Sequence, residues 1–190
     1  SYLNELVSSS KADIDKISKW NKQPNYELYV RDKSVYDNPK YFEQTTGKTI
    51  WPTEDGFKDG IIPQPQVISE GTCFKRYGDS SGSFLGNTTD SFETRSLAPY
   101  TDETNVHYYR LKKDYEFTVG KAEPWFGQPG GAEQFVVYKY DIYGHIIKNG
   151  DEYMRYTIND LMSDDIGVLE DITDKVLKGE IVFEWYNQYI

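Results

Sequence analysis

Apolar residues along this chain fall mostly into short runs separated by Gly, Pro, Asn and Asp. Between residues 4 and 22, Leu6, Ile14, Ile17 and Trp20 stand amid Lys, Asp and Ser. The three-residue spacing of Ile14, Ile17 and Trp20 predicts a short helix with one apolar face, Ser10 as its N-cap and Asn21 to Pro24 as its stop. Tyr26 to Val30 alternates as a strand, and Ile61 to Gln66, with two prolines, reads as extended. Thr72 to Tyr77 predicts a strand that sends Phe74 and Arg76 to one face and Cys73, Lys75 and Tyr77 to the other. Further strands are expected at Val106–Leu111, at Glu116–Val119 ending on a turn at Gly120, at Gln134–Tyr140, and at Ile181–Tyr186 to close the chain. Short helices are expected at Ile158–Met162 and Ile172–Leu177.

Composition narrows the class. A chain of 190 residues is long enough for one domain with an extension. Tyrosine occurs 17 times and aromatics make up 16%, which suits a β-rich chain with amphipathic faces. The net charge of −10 argues against DNA or RNA as a partner. It leaves room for one small anion where arginines are concentrated. The first 48 residues are charge-balanced, with eight basic and seven acidic side chains, whereas the final forty hold ten acidic against three basic. Cys73 is the single cysteine, so no intramolecular disulfide forms. No 18-residue apolar run is present, so stable membrane insertion is not expected. His107 and His145 lack metal-ligand spacing to each other or to Cys73, and no structural metal is predicted. Gly78 to Gly82 is not followed by Gly-Lys-Ser/Thr, which excludes a P-loop.

Candidate chemistry lies in the middle of the chain. Arg76 ends its strand beside a glycine-containing loop, where a guanidinium offers planar, bidentate contacts to phosphate. Arg95, in Phe92-Glu93-Thr94-Arg95-Ser96-Leu97, is a second arginine, pointing the same way as Glu93 if this piece is a strand. His107 sits in a strand where it could orient a ligand or simply pack. The stretch Glu123-Pro124-Trp125-Phe126-Gly127-Gln128-Pro129-Gly130-Gly131 brackets an aromatic pair with prolines and then frees the backbone. It places Gln128 where a polar side chain can meet a flat polar ligand.

The motifs Trp51-Pro52-Thr53-Glu54-Asp55-Gly56-Phe57, Arg76-Tyr77-Gly78, Ser83-Phe84-Leu85-Gly86, Phe92 to Leu97, His107 to Leu111 and Trp125 to Gly131 resemble, in order and spacing, the tuberculosis necrotizing toxin (TNT) family of NAD glycohydrolases. The matches span residues 51 to 135 and leave both ends of the chain outside. The resemblance implies an α+β fold with a small twisted antiparallel sheet, similar to ADP-ribosyltransferases. Pattern and charge add an N-terminal helical segment and an acidic C-terminal one, with residues 1–48 expected as an extension packed on the core and 49–190 as the catalytic domain. Carried over by motif, Arg76, Phe84 and Gln128 are the catalytic candidates, with Arg95, Trp125, Phe126 and His107 binding substrate. Phe84 stands where the family often has Tyr.

The implied reaction cleaves the nicotinamide–ribose bond of NAD or NADP, taken as substrate with no cofactor. The implied setting is a toxin, secreted or carried at the C-terminal end of a larger protein, acting in the target-cell cytosol and opposed by a cognate immunity protein. Three other readings stay open: transfer of ADP-ribose to a protein, hydrolysis of another nucleotide without metal, and an inactive nucleotide-binding module.

Overall fold

In the computed structural model, which describes residues 2–183, three helices precede a single large sheet. Helix α1 spans Tyr2–Ser18, α2 Tyr26–Arg31 and α3 Lys33–Tyr36. Ser10 lies inside α1 and caps nothing, since the helix begins well before it. The strand expected at 26–30 is instead α2. The Asn25 side chain accepts the Leu28 N–H at 2.7 Å, and this cap outweighs the β-preference of Tyr and Val.

The strands are β1 (Pro65–Ile68), β2 (Cys73–Tyr77), β3 (Leu85–Asn87), β4 (Val106–Leu111), β5 (Tyr115–Lys121), β6 (Glu133–Val136), β7 (Lys148–Asn149), β8 (Glu152–Tyr153) and β9 (Leu169–Asp171). Seven of them form one sheet in the order β1-β5-β6-β3-β2-β4-β9, every neighbour antiparallel. The chain is therefore an α+β fold on an antiparallel sheet. Gly120 does not end β5 but lies within it, paired with Gln134. Strand β6 is shorter than expected, its alternation continuing only as isolated bridges at Tyr138 and Tyr140. Residues 93–95 form a 3-10 turn (Glu93–Arg95), so Glu93 and Arg95 do not share a strand face. Helices α4 (Ile158–Met162) and α5 (Thr173–Leu177) stand where expected. A Thr157–Asp160 capping box starts α4. The closing strand expected over 181–186 runs past residue 183, outside the described residues, and 181–183 carry no strand.

The two faces of the sheet differ. One buries Phe74, Leu85, Tyr109, Phe117 and Phe135 against Ile158 and Leu161 of α4. On the other, Lys75, Gly86, Gln134 and Gly120 stand in register across β2, β3, β6 and β5. That row carries little bulk, so neighbouring segments settle onto it: Arg95 over Gly86, and Phe57 with Pro63 over Gly120. A second cluster joins Trp20, Tyr29, Tyr36 and Phe42 of the N-terminal segment to Ala98 and Phe126. No helix among the described residues is long and apolar enough to cross a membrane.

Candidate active site

Arg76 leaves the end of β2 and turns into the loop that follows. Its Nε donates to the Asp79 carbonyl at 2.7 Å and its Nη1 to the Phe84 carbonyl at 2.9 Å. The guanidinium occupies the space a side chain at residue 82 would need: a Cβ on Gly82 would lie 1.8 Å from Nη2. Nη2 itself takes no hydrogen-bond partner among the described residues. Burial pushes the Arg76 pKa down, with the nearby Tyr109 and Asp79 acting in the opposite direction. The group stays cationic, because a guanidinium does not deprotonate in a protein.

Asp79 and His107 complete the rim of this loop. The Ser81 hydroxyl, more than any other group, holds the Asp79 carboxyl below its usual range; the Ser81 N–H adds to this, as do the charges of Arg76 and His107. His107 faces Arg76 across the β2–β4 pair, and its Nε2 lies 2.8 Å from Asn105 Oδ1.

Arg95 is held in a parallel way on the other face. From its 3-10 turn it reaches back across β2 and β3, donating from Nη1 to the Lys75 carbonyl at 2.8 Å and from Nη2 to the Asn87 carbonyl at 2.7 Å. Its carbon Cζ sits 5.1 Å from the Tyr77 ring centre. A Cβ on Gly86 would lie 2.2 Å from Nη1, so this position too must lack a side chain. Burial lowers the Arg95 pKa, and Nε is buried with no hydrogen-bond partner among the described residues. The charge of Arg76 adds to the lowering.

Phe84 packs against Phe57, Val136 and Tyr138, and its outer side meets Arg155, whose Cζ is 5.3 Å from the ring centre. Arg155 in turn donates from Nη1 to Asp55 Oδ1 at 2.8 Å. Gln134, one of the residues in the sparse row of the sheet, donates from Nε2 to the Asp55 carbonyl at 2.9 Å. Its amide oxygen accepts no hydrogen bond among the described residues.

The Trp125–Gly131 stretch behaves differently from its sequence-level reading. Phe126 is 2% exposed and enclosed by Tyr41, Phe42 and Trp51, so its ring offers no face to a ligand. Trp125 donates from its indole to the Ile50 carbonyl at 2.9 Å and lies edge-on to Tyr41. Gln128 closes the turn through its N–H to the Trp125 carbonyl at 2.8 Å, while its side chain makes no hydrogen bond among the described residues. Structure thus places Arg76 opposite His107 across the β2–β4 pair and in contact with the Phe84 carbonyl, with Arg95 on the other face of the sheet. It ties Trp125 and Phe126 to the N-terminal helices instead. Two residues were missed from sequence. Gln134 is only three positions beyond the glycine-rich word, and period-2 counting from Phe135 would have put it on the face opposite the core. Arg155 had no motif around it.

A family model described as tuberculosis necrotizing toxin matches residues 67–172. The conidial surface nicotinamide adenine dinucleotide glycohydrolase of Aspergillus fumigatus is 32% identical over 103 residues, covering 48% of this chain and 44% of the relative. The chain therefore spans less than half the length of that relative. Among solved structures, the tuberculosis necrotizing toxin complexed with its immunity factor aligns with a TM-score of 0.49 and 18% identity, over 78% of this chain and 72% of the other. The complex of Tse6 with Tsi6 aligns with a TM-score of 0.33 and 14% identity, over 70% and 98%.

Proposed function

The chain belongs to the tuberculosis necrotizing toxin family, and we propose that it is an NAD(P) glycohydrolase that releases nicotinamide and ADP-ribose. The observation that carries this reading is the buried Arg76 guanidinium over Gly82, bonded to the Phe84 carbonyl, with Arg95 held over Gly86 on the opposite face of the sheet. A fixed positive locus beside an aromatic is what a dinucleotide with a pyrophosphate and a flat base requires. The sequence likeness to a fungal enzyme named for NAD hydrolysis agrees with it.

Breaking the nicotinamide–ribose bond passes through an oxocarbenium-like state, and nicotinamide departs as a neutral ring, so no acid need protonate it. Catalysis then rests on positioning and on dipoles placed where positive charge develops on the ribose. In this proposal Arg76 meets the pyrophosphate through its free Nη2, with Arg95 stiffening the backbone behind it. Phe84 stacks on the nicotinamide side. The free amide oxygen of Gln134, rather than that of Gln128, faces the ribose or carboxamide. His107 lines the rim. Trp125 and Phe126 act by anchoring the loop, with residues 1–48 bracing it. Water completes the hydrolysis and no cofactor enters.

A cell that makes such an enzyme destroys its own NAD, so we propose in addition a cognate inhibitor protein that covers the Arg76 rim. Delivery as part of a toxin acting in the cytosol of a target cell completes the reading. The test is direct: the purified chain is incubated with NAD, and with NADP, and free nicotinamide is quantified. Stoichiometric nicotinamide and ADP-ribose, undiminished by a strong chelator, is the expected result. Intact NAD at high protein concentration would leave a binding module, and ADP-ribose found on protein would make the enzyme a transferase.

A further inference from the structure

The loop 53–60, which precedes the family-matched segment, is bent in an unusual way. Glu54, Asp55 and Asp59 all adopt positive φ, at 51°, 52° and 60°. For residues with a side chain this left-handed backbone is disfavoured and persists only where the surroundings over-determine it. At Asp55 they do. Its carboxylate accepts the Tyr138 hydroxyl at 2.7 Å and Arg155 Nη1 at 2.8 Å, and its backbone carbonyl accepts Gln134 Nε2 at 2.9 Å. The Tyr153 hydroxyl is hydrogen-bonded to the neighbouring Glu54. The Asp55 side chain is only 14% exposed.

These bonds lead to the candidate site by two short routes. Arg155 lies against the Phe84 ring, and Gln134 stands opposite Gly86, which carries Arg95. Arg155 is bridged across to Tyr138 in the chain beyond β6, so Tyr138 fixes both the arginine's backbone and its carboxylate partner. A carboxylate that served only to close the loop would need one such partner; this one has two, and the Asp55 carbonyl adds Gln134 as a third contact distant in sequence.

We propose that Asp55 is a positioning residue: its carboxylate holds the Arg155 guanidinium on Phe84 while its carbonyl fixes the amide of Gln134, so that ring and amide meet the substrate already oriented. This rests on the NAD-cleaving reading above. Asp55 does not touch substrate; it acts through Arg155 and Gln134. Because transition-state geometry is at stake more than ground-state affinity, the kinetic signature is a fall in kcat with little change in KM.

The test uses the full chain and the variants Asp55→Asn and Arg155→Lys, assayed for nicotinamide release well below their melting temperatures so that all protein is folded. Asn tolerates the left-handed backbone and keeps the carbonyl that binds Gln134; Asp55→Asn removes the charge facing Arg155 and replaces one acceptor oxygen by an amide that can still donate to the Tyr138 hydroxyl. The expected result is a kcat about tenfold lower with KM within about threefold, and a double variant no worse than the worse single one, as for residues acting as a unit. Unchanged kcat in Asp55→Asn with an active parent would overturn the proposal and leave the NAD reading standing. A parent that releases no nicotinamide would instead sink the NAD reading. If Asp55→Asn fails to fold, Arg155→Lys reads the same contact from the other side, and full turnover there overturns the proposal. Failure of both to fold would make the cluster a scaffold and overturn it as well.

Discussion

Arg95 fills the space that a side chain on Gly86 would need: an ideal Cβ there would meet Nη1 at 2.2 Å, Cζ at 2.3 Å and Nη2 at 2.5 Å. The arginine can therefore stitch the carbonyls of Lys75 and Asn87 only while residue 86 is glycine. The φ of Gly86 lies outside the positive range, so the constraint is one of volume and not of backbone conformation.

Gly86→Ala should consequently displace Arg95 from two carbonyl partners. Forcing a methyl group into a filled site typically costs about 1–3 kcal/mol. A lowered melting temperature is expected, together with at least a tenfold loss of nicotinamide release. Parent-like stability and turnover in Gly86→Ala would show that Arg95 does not need its place.

Arg76→Lys keeps the charge but not the fork. Arg76 holds the loop through Nε and Nη1 on two different carbonyls, and a single ammonium on a flexible stem cannot reproduce both. The expected outcome is a raised KM and a lowered kcat, measured by steady-state NAD cleavage, because the pyrophosphate contact exists before and during reaction. A variant with unchanged KM would mean that the guanidinium serves the loop alone.

Acid should loosen the N-terminal helices first. Burial opposes ionisation of Asp37, but hydrogen bonds from Lys16, Lys33 and Tyr29 outweigh it and take its carboxyl from 3.8 down to about 2. A carboxylate whose folded pKa lies below its unfolded one contributes stability that is complete above the unfolded value and is lost as pH falls through the folded one. The window is therefore from about pH 4 down to about pH 2, as given by the same shift. Tyr29, in the same cluster, is pushed up to about 12, first by burial and then by its bond to Asp37. Asp37→Asn should lower stability at neutral pH and flatten the acid limb of the melting profile below pH 4, as followed by helical circular dichroism. An acid limb identical to the parent's would remove Asp37 from the account.

How much of this was legible beforehand can be traced to particular residues. Strands β2 and β4 and helix α4 were readable because their apolar periods are local and agree with their burial, whereas α5 follows its local pattern with Leu177 exposed. Tyr26 to Arg31 was not, because one Asn25 cap decides its state and the run itself has the composition of a strand. Arg76, Phe84 and Arg95 stand in motifs, yet neither the fit of the two arginines over Gly82 and Gly86 nor the long-range contact of Phe84 with Arg155 leaves a periodic trace. The burial of Phe126 has a cause that its local sequence does not carry. The N-terminal segment that buries it arrives from eighty residues away, as the Phe42–Phe126 ring separation of 6.1 Å shows.

The two glutamines separate the motif-based reading from the structural one. Gln128 belongs to the motif word, but among the described residues its hydrogen bonding is through the backbone, within a four-residue turn. Gln134 lies in β6 between Gly86 and Gly120, so neither neighbouring strand places a side chain beside it, and one end of its amide is already fixed by the Asp55 carbonyl. An amide fixed at its nitrogen and open at its oxygen can stabilise developing positive charge without reorganising during the reaction. Gln134→Ala should therefore lower kcat for NAD cleavage by a hundredfold or more, equivalent to about 2.7 kcal/mol of transition-state stabilisation. Gln128→Ala should stay within about threefold of the parent, as exposed turn substitutions usually change stability by less than about 0.5 kcal/mol. Melting curves for both variants close to the parent's would assign the difference to chemistry. The opposite ranking, with Gln128→Ala inactive and Gln134→Ala active, would return the catalytic amide to the turn.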